Sequence, residues 1–169
     1  MIMFTSFNSL QSIVSKLYED YHYTNLGQTA ILFLYFAFGI FTVFSSYIIK
    51  ALGYKKSMFL SSLGYAIFEA TGIVVASEVN IPTVLVWIIV IIGAVLCGIS
   101  ASILWVAQAG YTNATASENR KSELFGLFWG LMMSSQIFGN LLTTFVLGKM
   151  STLTYFIVLT ALGCKFGIN

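Results

Sequence analysis

The stretch FGLFWGLMMSSQIFGN, residues 125–140, is apolar enough for lipid and yet holds two amides, Gln136 and Asn140. Gly126, Gly130 and Ser134 recur every fourth position among its large side chains. On a helical wheel, at about 100° per residue, Phe125, Trp129, Gln136 and Asn140 share one sector. The small residues lie beside that sector, and Leu127, Leu131, Phe138 and Leu142 lie opposite. The stretch therefore reads as a membrane helix with one bulky apolar face and one small, amide-bearing face. Small residues at this spacing let a second backbone approach closely, and amides can bond across helices. Two uses of the inward face stay open. Gly126, Gly130 and Ser134 are candidate helix-packing residues, and Gln136 and Asn140 either pack or line a polar cavity.

The rest of the chain supports a membrane setting. It is 58% hydrophobic and 8% charged, against about 45–50% and about 25% in soluble domains. Three further apolar runs, 28–49, 57–77 and 83–108, each reach the roughly 20 residues that span the hydrocarbon. With 123–147 they make four full runs; 152–168 begins another, and 1–14 reads as the end of a helix whose start lies upstream. The runs are continuous rather than alternating, which favours helices over a membrane barrel. Short connections make neighbouring helices antiparallel, and Pro82 stands where the third run begins.

Loop charge orients such a chain. Lys50, Lys55, Lys56, Arg120 and Lys121 fall on one side, predicted cytoplasmic. Lys16, Lys149, Glu19, Asp20 and Glu78 fall on the other.

In the third run Ala94, Gly98 and Ser102 repeat the small-residue spacing, with Gln108 nearer the cytoplasmic end. Gly98 is thus a further packing candidate and Gln108 a further polar or cavity candidate. Glu69 is the one acid well inside a full run. A charge there costs about 2.5–3.5 kcal/mol on insertion scales, so Glu69 is expected to face protein or water. Cys97 and Cys164 sit in apolar runs and read as buried thiols. His22 reads as a solvated loop residue, and Lys165 as an odd charge near the C-terminus. The Asn113-Ala114-Thr115 acceptor pattern falls on the predicted cytoplasmic side. No catalytic set, cofactor site or metal-ligand spacing stands out, so an enzyme is not expected. A net charge of +2 without a basic stripe gives no reason to expect nucleic acid.

Four blocks carry a resemblance: NSLQSIVSKLY (8–18), IIKALGYKKSMFLSSLGYAIF (48–68), LWVAQAGYT (104–112) and FGLFWGLMMSSQIFGNLL (125–142). In content, order and spacing they resemble the Unc-ninety-three family, a branch of the major facilitator superfamily described as ion-channel regulatory and trafficking proteins. The resemblance implies an all-α major facilitator-like helical bundle, with this chain as an incomplete N-terminal six-helix half. The partners implied are the lipid bilayer and another membrane protein, a channel or receptor, or a second copy. Transport of a small solute or ion is the alternative, and a truncated product without independent activity is a third. Facilitators usually carry an acid before a Gly-Arg-Lys cluster in the loop after the second helix. Here Lys50 stands where that acid would be, a departure that argues against ordinary alternating access. The resemblance carries no site residue across, and no sorting signal chooses a membrane.

Overall fold

A computed structural model of the chain describes residues 2–77, 81–147 and 149–167, with side chains over 3–77, 81–145 and 149–161. The described residues form six helices and no strand: α1 Ile2–Asp20, α2 Leu26–Leu52, α3 Tyr54–Ala76, α4 Thr83–Thr115, α5 Lys121–Leu147 and α6 Thr152–Gly167. A single 3-10 turn, Glu118–Arg120, precedes α5. Over the described residues the chain is an all-α bundle.

Helix ends overrun the apolar runs where nothing breaks the backbone. Good helix formers carry α1 on to Asp20, and α4 continues past Gln108 as 33 residues. At 1.5 Å per residue α4 is about 50 Å long, well beyond a hydrocarbon layer of about 30 Å. It ends where Ala116 turns extended, its N–H held by the Thr112 carbonyl. Between α2 and α3 lies a single residue, Gly53, at φ 80°. That left-handed backbone suits glycine, and its N–H closes α2 on the Ile49 carbonyl at 2.8 Å.

Among the described residues α2, α3 and α4 are long and apolar enough to cross a membrane on those grounds alone. α5, at 27 residues, matches α2 in length and carries Gln136 and Asn140 within its apolar run.

The helices do not bury themselves in order of apolarity. α1 packs against α2, α3, α5 and α6, and its Ser6, Ser9, Leu10, Val14 and Tyr18 are fully buried. α2 instead exposes Leu32, Phe36, Ile40, Val43 and Tyr47. In lipid this is the stable arrangement: apolar surface faces hydrocarbon, and polar side chains need partners inside. α4 lies between α2 and α3, α3 reaches α6, and α5 rests mainly on α1. Cys97 is a buried free thiol within this core, and His22 is exposed in the α1–α2 turn. Glu78 and the side chains of Cys164 and Lys165 lie outside the described residues.

Candidate functional site

The site is built on the seam between α1 and α5. Ser135, Gly139 and Thr143 fall on one face of α5, four residues apart, and all three are buried. Gly139 sits so close to α1 that a Cβ on it would come 2.7 Å from the Thr5 carbonyl oxygen and 3.1 Å from the Ser9 nitrogen. Asn8 Nδ2 donates to Ser135 Oγ at 3.2 Å. About two turns further along α5, Thr143 Oγ1 lies 2.6 Å from the Ser9 hydroxyl, which is 2.8 Å from the Tyr155 hydroxyl of α6. Thr143 and Tyr155 close the triangle at 3.0 Å. Hydroxyls both donate and accept, so this triangle ties three helices without a charge.

Beside the seam opens a cavity of about 430 Å³, within the range of small-molecule pockets. Its inner wall is aromatic. Trp105 of α4 and Trp129 of α5 stack with centroids 5.7 Å apart and planes at 23°. Phe4 lies 5.5 Å from Trp105, and Phe7 meets Tyr65 edge-on at 4.9 Å. Asn8, Gln11 and Gln136 also line it. The same three, with Ser12 and Asn140, line an adjoining hollow of about 230 Å³. Gln11 Nε2 donates to the Tyr35 hydroxyl at 2.5 Å. The described lining holds no charged side chain. Such a wall can stack a ring or cover a hydrocarbon body, while the amides hydrogen-bond a neutral polar group.

The candidates named from the sequence separate into distinct places. Gln136 and Asn140 come together at the amide rim with Asn8 and Gln11. Gln108 is elsewhere and donates to Thr112 Oγ1 at 3.1 Å within its own helix. Glu69 is buried between α1, α3 and α6, hydrogen-bonded by the Ser6 hydroxyl and away from the cavity lining. Gly98 lies against α2, where a Cβ would run into the Leu34 carbonyl oxygen. Gly126 and Gly130 have open space where the spacing predicts a neighbour, nothing among the described residues lying within 4 Å of a Cβ on either. Ser134 donates back to the Gly130 carbonyl at 2.8 Å. Packing within this chain falls on the Ser135, Gly139, Thr143 register instead, because that is the face α1 reaches. That register shows the same four-residue spacing in the sequence. The polar face of α1, with Asn8 and Gln11 one turn apart, is equally visible there as a pattern.

Six helices with a buried polar seam and a cavity beside the first and fifth make the frame of a helical membrane protein. The chain matches the Major Facilitator Superfamily over residues 1–168 and belongs to it. Within that superfamily its similarity is to Unc-93 proteins. It is 30% identical over 160 residues to "Protein unc-93 homolog A" of Homo sapiens, covering 88% of this chain and 32% of that protein. To "UNC93-like protein MFSD11" of Xenopus laevis it is 31% identical over 145 residues, covering 83% and 30%. To the "Putative potassium channel regulatory protein unc-93" of Caenorhabditis elegans it is 25% identical over 157 residues, covering 86% and 20%. The chain spans a third or less of the length of these relatives. No solved structure shows a significant match.

Proposed function

We propose that the chain acts as a membrane-embedded regulatory protein, through helix–helix contact with another membrane protein such as a channel or receptor. One observation carries this reading: Gly126 and Gly130 lie open on α5, whose other side is already occupied by α1. Small residues at this spacing are what a close-packing membrane helix requires. The name of the nematode relative points the same way, toward a channel. We read the chain as part of an N-terminal six-helix half with its basic loops in the cytoplasm. The Tyr54–Tyr111 ring pair, 6.4 Å between centroids, gathers both basic loops at one end, and the loop-charge rule assigns that end to the cytoplasm. Affinity purification of the full chain from mild detergent tests the contact. A channel or receptor should co-purify, and the double variant Gly126→Leu, Gly130→Leu should lose it. Full recovery with the double variant contradicts the reading.

A second reading, binding of a small neutral solute as in a facilitator-type transporter, is favoured by the aromatic cavity with its amide rim. It predicts quenching of Trp105 and Trp129 fluorescence by a solute that also crosses proteoliposomes holding the full chain. Absence of flux for every solute that quenches would count against it.

A further inference from the structure

Away from the cavity, Glu69 of α3 is fully buried where α1 and α6 meet. The Ser6 hydroxyl of α1 hydrogen-bonds Glu69 Oε1. The same Ser6 oxygen lies 3.1 Å from the backbone carbonyl of Leu159 on α6. Glu69 Oε2 has no hydrogen-bond partner among the described residues. The titratable groups that neighbour it on other helices are Cys97 on α4 and Tyr155 on α6. Tyr65 stands one turn earlier on its own helix, and α1 contributes Ser6. No Lys, Arg or His pairs with it among the described residues.

The proton inventory of this junction decides its chemistry. A serine hydroxyl has one hydrogen to donate, whereas a carbonyl or carboxylate oxygen only accepts. Ser6 sits between two oxygens of that accepting kind. If both contacts are full hydrogen bonds, a second proton is present, and the Leu159 carbonyl has none to offer. Glu69 is the group able to hold it. An ionised carboxylate here would have one neutral donor and one bare oxygen, short of the partners a buried charge needs.

We propose that Glu69 is a proton-binding site whose proton closes a hydrogen-bond relay from α3 through Ser6 to α6. With the proton bound, the Oε1 hydroxyl donates to Ser6 Oγ and Ser6 donates to the Leu159 carbonyl. When the proton leaves to water, Ser6 turns its hydrogen to the carboxylate and the Leu159 carbonyl loses its bond from α1. The two states differ by one proton and one interhelical hydrogen bond, so proton release loosens α6 from α1.

Infrared spectroscopy of the full chain in lipid nanodiscs tests the site. At neutral pH the wild type should show the C=O stretch of a protonated carboxyl. Glu69→Gln should remove that band, and Ser6→Ala should shift it because the carboxyl O–H loses its acceptor. A wild-type spectrum without the band overturns the proposal, and so does a band that Ser6→Ala leaves unmoved. The wild-type spectrum stands even where Glu69→Gln fails to fold. Hydrogen-exchange protection of α6 reads the relay separately. Protection should fall with rising pH in the wild type and hold steady in Glu69→Gln, whose amide N–H still donates to Ser6. Wild-type protection that does not change with pH overturns the relay.

Discussion

Helix α5 carries two ladders of small residues that look alike in sequence and behave differently in the fold. Ser135, Gly139 and Thr143 press into α1, with Gly139 near backbone contact and Thr143 inside a triangle of hydroxyls. Gly126 and Gly130, in the register that continues through Ser134, meet nothing within 4 Å among the described residues. Small side chains permit close approach on both faces. What distinguishes the packed face is the polar complement opposite it: Asn8 for Ser135, and Ser9 with Tyr155 for Thr143. Spacing by four is therefore a licence to pack, and the partner's hydrogen-bonding groups decide which licence is used within this chain.

Substitutions that fill or strip each ladder should separate the two faces, and the largest effect is expected at Gly139. Gly139→Leu drives a side chain into the Thr5 carbonyl and the Ser9 nitrogen, backbone atoms that cannot move aside. A loss of about 3 kcal/mol or more is expected from such overpacking, seen as a lowered thermal unfolding midpoint in detergent. A midpoint within experimental error of the wild type would mean that α5 does not rest on α1 as described. Thr143→Val keeps the shape and removes the hydroxyl shared by Ser9 and Tyr155. Interhelical hydrogen bonds in membranes contribute about 0.6 kcal/mol on average and up to about 1.7, so a loss of about 1 kcal/mol is expected. Combining it with Tyr155→Phe should then add less than the sum of the two single effects, since both empty the same triangle; full additivity would show that the triangle does not form. On the open ladder, Gly126→Leu with Gly130→Leu should change stability by less than about 0.5 kcal/mol. A destabilisation like that of Gly139→Leu would reveal a neighbour on the open face within the chain itself.

Much of this fold is legible in the amino-acid sequence. The spans of α2 and α4 follow from continuous apolarity, and Gly98 in its Ala94, Gly98, Ser102 series lies where α4 meets α2. The amides Gln136 and Asn140 fall on a shared face of the helical wheel, and both line the smaller hollow beside α1. Two things are not legible there. α1 reads as a fragment because Ser6, Asn8, Ser9, Gln11 and Ser12 lower its apolarity. It is nonetheless packed against four other helices, because its polar groups find partners on α3, α5 and α6, far away in sequence. The choice between the two ladders of α5 is hidden for the same reason. Helical periodicity says which residues share a face and is silent on which helix arrives there. Glu69 is expected to face protein or water, and its carboxyl lies in protein; that Ser6 meets it depends on a contact across 63 residues.

On the proposed reading the open face of α5 is a contact surface for another membrane protein. Photo-crosslinking in native membranes probes that face, with a photoreactive side chain placed at position 126 or 130 and, as a lipid-facing reference, at the exposed Val43. We predict adducts with a separate membrane protein from 126 and 130, and adducts with lipid alone from 43. Adducts from 126 and 130 confined to lipid, or to the chain itself, would contradict the account.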